Sequence, residues 1–135
     1  MPKYMTTDPI SDMLTRLRNA TKARVYTVEM PLSKMKFAIA KILEDKGYLE
    51  NVAASGEGKD AVLRVSLGRD ASGNPKVSEL VRVSKPGRRV YVKADDIRAV
   101  RSGFGLAIVS TPNGVMTAQE AKKRRLGGEL ICEIF

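Results

Sequence analysis

The sequence predicts an α+β fold: two small α/β subdomains, with an N-terminal α-β-α-β-β layer packed on a mostly β C-terminal subdomain that carries one short helix. Three observations carry the prediction. Two amphipathic helical stretches, each with a recognisable cap, fall in the first 46 residues. Short β-branched runs bounded by glycine and proline follow. A polar Gly/Pro segment divides the chain into residues 1–68, a linker or long hairpin at 69–76, and residues 77–135.

The first helix opens at Asp8, a side chain suited to capping, and Pro9, suited to the first helical position; Ile10, Met13, Leu14 and Leu17 share one face. Arg16, Arg18 and Lys22 lie off that face, free for solvent or phosphate. Val25 to Met30 reads as a strand stopped by Pro31. Ser33 caps a second helix from Lys34 to Lys46, closed by Gly47. Its N-terminus, with Lys34 beside free amides, is either a plain cap or an anion site. Two strands, Tyr48 to Ala53 and Ala61 to Leu67, flank a Gly-rich turn.

Beyond the divide, Val77 to Val83 reads as a strand. Ser84-Lys85-Pro86-Gly87-Arg88-Arg89 follows, a Pro-Gly pair in the order a type II turn requires. Cations crowded on a tight turn repel one another, which predicts an anionic group close by. Tyr91 stands in the extended segment after it, as half-buried packing or as a platform for a base or sugar. Asp95 to Arg101 reads as a brief helical segment. The run Gly103 to Thr117 contains a buried strand ending in Ser110 and Thr111, then a Pro112-Asn113-Gly114 break. Thr117 and Glu120 form a capping box for a short helix bearing Lys122, Lys123, Arg124 and Arg125. Gly127-Gly128 ends it, and Glu129 to Phe135 alternates as a last strand.

Composition narrows the chemistry. With 24 Lys and Arg against 15 acids the net charge is +9, which favours a polyanionic partner. The first 67 residues carry 11 bases and 8 acids, the remainder 13 and 7, so the second half supplies most of the positive field. No apolar run is long enough to span a membrane, and the N-terminus shows no secretory signal. Cys132 stands alone and histidine is absent, so neither a disulfide framework nor a cysteine or histidine metal site is expected, and no cofactor. Ser110, Thr111 and Cys132 have no histidine to activate them as nucleophiles. The chain is read as a non-enzyme in a reducing, cytoplasmic setting.

Six segments, in order, carry a family resemblance: Asp8 to Ala20 (DPISDMLTRLRNA), Pro31 to Lys36 (PLSKMK), Val83 to Gly87 (VSKPG), Gly105 to Thr111 (GLAIVST), Gly114 to Thr117 (GVMT) and Gly127 to Glu129 (GGE). Together they cover nearly the whole chain, which resembles the bacterial small-subunit ribosomal protein S-eight family. The resemblance implies a structural constituent of the ribosome that binds an irregular helix in the central domain of 16S rRNA and helps assemble the subunit platform. It implies RNA contacts at Ser33, Lys34, Ser84, Lys85, Arg88, Arg89, Tyr91, Ser110, Thr111, Gly127, Gly128 and Glu129. Neighbouring small-subunit proteins, the S-five protein among them, are implied partners, and the chain's own mRNA is allowed as another. Pro112 departs from the family, which usually has a small polar residue there, and Asn113 is the candidate to compensate. A sequence-specific DNA-binding or other nucleic-acid-binding regulator is the alternative on charge alone, though no helix-turn-helix or zinc motif supports it.

Hydroxyls suit such a role because specificity on RNA depends on irregular features and ribose hydroxyls, and Ser and Thr both donate and accept. Cations on phosphate set affinity and register without reading sequence. Glu129 offers an acceptor for a base amine or ribose hydroxyl that no cation supplies.

Overall fold

The structure, a computed structural model, describes residues 8–97 and 105–135. Its elements run α1 (Pro9–Ala23), β1 (Thr27–Pro31), α2 (Lys34–Asp45), β2 (Leu49–Ser55), β3 (Val62–Leu67), β4 (Leu80–Arg82), β5 (Tyr91–Val92), β6 (Leu106–Thr111), β7 (Gly114–Thr117), α3 (Ala118–Lys123) and β8 (Gly128–Ile134). The mixture of helices and antiparallel sheets is the α+β architecture the sequence predicts.

Both long helices begin as their caps dictate. The Asp8 carboxylate accepts from the Ser11 amide at 3.2 Å, and the Ser33 hydroxyl from the Lys36 amide at 3.1 Å. The apolar stripe of α1 is fully buried, as its spacing requires. In α2 the burial departs from composition: Met35 is exposed, whereas Lys36 is buried, its Nζ donating to the Pro31 carbonyl at 2.9 Å. Burial pushes the Lys36 ammonium below its usual range.

β1, β3 and β2 form one antiparallel sheet, in which Pro31 joins β1 at its end instead of stopping it before. The second sheet is ordered β4-β8-β6-β7, with the short β5 also on β8. The strand expected over Val77 to Val83 shrinks to Leu80–Arg82. Residues 69–76 close on themselves, with Lys76 N donating to Gly68 O at 2.9 Å, and dock on β1's flank through Arg24 to Asn74 and Tyr26 to Gly73.

One continuous core, including Met13, Leu14, Ile39, Leu63, Val65, Ile108, Ile131 and Ile134, draws on both helices and both sheets. A smaller one lies on the far side of the second sheet, where Val109 and Met116 meet Ala118 and Ala121 of α3. A polar tie joins α1 to β4. Asp8 is in an ion pair with Arg82 at 3.2 Å, both side chains nearly enclosed, and Arg82 Nη1 also donates to Ile131 O at 2.7 Å. Arg18, expected to be free, donates to the Leu80 carbonyl. Of the Asp95 to Arg101 helical segment, a 3₁₀ turn at Ala94–Asp96 is observed; Arg98 to Arg101 lie outside the described residues, as do Gly103 and Phe104.

Candidate nucleic-acid interface

β8 is the seam of the site. Glu129 pairs with Tyr91 of β5 on one side and with Ser110 of β6 on the other. Directly opposed residues project from the same face of a sheet, so Tyr91, Glu129 and Ser110 form one cross-strand row. Farther along that face lies the main core, which includes Ile108. Tyr91 is 70% exposed, far more than packing requires. Ser110 is half-exposed, and its hydroxyl has no hydrogen-bond partner among the described residues.

The double glycine permits this closeness. A Cβ on Gly128 would lie 2.1 Å from the Ser110 carbonyl oxygen, and one on Gly127 would lie 2.6 Å from that of Val92. β8 therefore enters between β5 and β6 with no room for side chains.

Beside the row, the turn bears Lys85, Arg88 and Arg89, all exposed. Lys85 and Arg88 exchange backbone hydrogen bonds at 3.2 and 2.9 Å, and Gly87 takes the positive φ of 81° that the third position of a type II turn demands. The anionic group that the crowding predicts is Glu129: its Oε2 accepts from Arg89 Nη1 at 2.9 Å and from the Ser84 hydroxyl. Ser84 Oγ in turn accepts from the Val90 amide at 3.1 Å. Burial raises the affinity of Glu129 for a proton, but the bonds from Ser84 and Arg89 and the charges of Arg89 and Arg82 outweigh it and hold the carboxyl below its usual range.

Two expected display groups point inward. Ser84 is 0% exposed and consumed by Val90 and Glu129. Thr111 is 8% exposed, because strand alternation turns it away from Ser110's face. Its hydroxyl accepts from the Asn113 amide at 3.1 Å and donates to the Gly114 carbonyl at 2.8 Å. Pro112 and Asn113 form the two-residue turn this hydroxyl closes, and Gly114 takes a φ of 115°. Asn113 is exposed at its tip.

Ser33 and Lys34 lie at the start of α2, beside β1, and no hydrogen bond or ion pair among the described residues links them to the row. The Ser33 hydroxyl is committed to its cap, while Lys34 is exposed. The capping box at α3 is half made. Thr117 accepts from the Glu120 amide at 3.1 Å, but the Glu120 carboxylate pairs with Arg124 Nε at 2.7 Å. Lys122 donates to Ile97 O at 3.2 Å. A six-residue helix with those ties is no groove-reading element. Cys132 is buried and its thiol is pushed up to about 12, which removes it as a nucleophile. Sequence reading missed the Asp8–Arg82 tie, whose partners are 74 residues apart, and no local pattern announces it.

An α+β scaffold that gathers an exposed tyrosine, a half-exposed hydroxyl, a carboxylate and a cationic turn on one sheet margin is suited to a nucleic-acid-binding protein. The ribosomal protein S8 family model matches residues 8–135, and the chain belongs to that family. It is similar to curated proteins named small ribosomal subunit protein uS8. That of Azoarcus sp. is 52% identical over 126 residues, covering 93% of this chain and 95% of the relative. That of Caldanaerobacter subterraneus is 50% identical over 129 residues, at 96% and 98% coverage. That of Nitratidesulfovibrio vulgaris is 50% identical over 131 residues, at 97% and 100%. Membership makes this a structural, rRNA-binding ribosomal protein and not an enzyme.

Proposed function

We propose that the chain binds an irregular helix in the central domain of 16S rRNA and helps assemble the platform of the small subunit, with the Tyr91–Glu129–Ser110 row as its reading surface. The row is the observation that carries this reading: it sets a π face, an acceptor and a donor–acceptor hydroxyl side by side on one face. Tyr91 stacks on an unpaired base or a sugar, a contact worth about 1–3 kcal/mol for a stacked base. Ser110 exchanges hydrogen bonds with a ribose hydroxyl or base edge. Lys85, Arg88, Arg89 and, at a separate point, Lys34 hold phosphates. Gly127 and Gly128 let β8 lie close between β5 and β6 and so hold the row together, and Asn113 adds a polar group at the hairpin tip. Ser33, Ser84 and Thr111 act from inside, each by fixing a cap or turn. Neighbouring small-subunit proteins, the S-five protein among them, and the chain's own mRNA are further partners on this reading.

Filter binding to an isolated rRNA helix tests it. Ser110→Ala and Tyr91→Ala should erode discrimination against altered RNAs. Lys85→Ala should weaken all RNAs and flatten the salt dependence by about one unit of log–log slope. Equal losses on every RNA from Ser110→Ala would overturn the division of labour, and a preference for duplex DNA in competition would overturn the choice of ligand.

A further inference from the structure

We infer that Glu129 is a positioning residue for the cationic turn: through one carboxylate oxygen it fixes Ser84 and Arg89, and so sets where Lys85, Arg88 and Arg89 meet phosphate. The inference rests on the RNA-binding reading above and gives this acid a second role within it. Arg89 Nη1 and the Ser84 hydroxyl converge on the same atom, Oε2. Ser84 passes the constraint to the Val90 amide, so one chain of bonds spans the base of the turn. The other oxygen, Oε1, makes no hydrogen bond among the described residues, and no buried side-chain polar atom there lacks a partner, so Oε1 reaches solvent. One oxygen holds the protein and the other is left for the ligand.

Electrostatics favours the arrangement. Lys85 and Arg88 have no side-chain partner among the described residues, so mutual repulsion would splay the turn without an anion at its base. Backbone bonds keep it docked when the carboxylate is lost: Ser84 N donates to Leu130 O at 3.1 Å, and Leu130 N to Val90 O at 2.9 Å. Glu129→Gln therefore folds, with the cations less firmly held.

The test is a double-mutant cycle on binding to the isolated rRNA helix across a salt series. Glu129→Gln should weaken binding by about tenfold, a loss shrinking below about twofold when Arg88 is already alanine but staying near tenfold in a Lys34→Ala background. The salt slope should fall by about one. The same tenfold loss in both backgrounds with an unchanged slope would reduce Glu129 to a direct RNA contact, and tighter binding would reduce it to simple repulsion; either result overturns the inference. Amide exchange in the free protein tests the clamp independently of RNA: the Arg88 and Val90 amides should exchange faster in the variant, and unchanged rates sink the clamp whatever the RNA does. Intact binding by Tyr91→Ala and Ser110→Ala would instead count against the RNA-binding reading itself.

Discussion

Two tight turns flank the start of β8, and they are held by different forces. The Ser84–Arg89 turn is clamped by a charge, the Glu129 carboxylate, acting through Arg89 and a buried serine. The Thr111–Gly114 turn is clamped by a neutral hydroxyl and stiffened by Pro112. The cationic turn needs an opposing charge because its own side chains repel. The hairpin carries no charge and needs only its backbone groups satisfied. Its geometry should therefore be indifferent to salt and acid, while the other turn responds to both.

Both turns depend on β8 lying close to β6, and breaking that closeness gives the largest effect. Gly128→Ala drives a Cβ to 2.1 Å from Ser110 O and 2.9 Å from its carbonyl carbon, both backbone atoms that cannot swing aside. The substitution should cost at least about 3 kcal/mol in chemical denaturation. Gly114→Ala is the control within the hairpin. Nothing lies within 4 Å of its added Cβ and only the φ of 115° is strained, so about 1–2 kcal/mol is expected. Equal costs would show that the sheet margin adjusts and that the double glycine serves something other than close approach.

The next comparison sets one hydroxyl against the other. Ser84→Ala strips the Val90 amide of its acceptor at a fully buried site and removes a donor from Glu129. About 2 kcal/mol should be lost. Thr111→Val removes two bonds from a turn at the surface, where water can replace one of them, and about 1 kcal/mol should follow. A larger loss at Thr111, read from denaturation midpoints at equal m-values, would reverse the ranking of the two clamps.

These contrasts also show what the sequence could reveal. Caps at Asp8, Ser33 and Thr117, the stripe on α1 and the glycine of the Lys85–Arg88 turn are local signals, and each was legible because its physics spans four or five residues. The crowding of Lys85, Arg88 and Arg89 even announced an anion. Which acid supplies it was not legible, because Glu129 lies 40 residues from Arg89 and meets it only through sheet pairing. The inward turn of Thr111 was within reach, since alternation places it opposite Ser110. The burial of Ser84 and Lys36 was not: polar side chains read as exposed until the chain folds over them.

Acid should separate the turns by a smaller margin. Glu129 titrates below its ordinary value of 4.5 in the folded protein, so its stabilisation is complete above that pH and is lost as the pH falls through the lowered value. Asp8, likewise lowered from 3.8, loosens the α1–β4 tie over an overlapping acid range. After correction for intrinsic exchange rates, the Val90 amide should lose protection as the pH falls through the lowered value of Glu129 and Arg89 is left without its anion. The Asn113 amide, held by an un-ionisable hydroxyl, should hold its protection until global unfolding. Parallel loss at both amides would mean the turns open together and that the charge has no local role.

The smallest expected effect is at Pro112. Serine there would add a hydroxyl and an amide donor at an exposed tip. It would also release a backbone angle that proline fixes. Thr111 already closes this turn through two bonds, so the proline acts mainly by narrowing the unfolded and unbound ensembles, an advantage of about 0.4–1 kcal/mol. A new hydrogen bond to RNA contributes about the same amount with the opposite sign. The two should nearly cancel, and Pro112→Ser should leave affinity for the isolated rRNA helix within about threefold of the parent. Tightening by about 1 kcal/mol or more would mean that the polar group matters more than rigidity, and the hairpin would then resemble the charged turn in needing a specific partner.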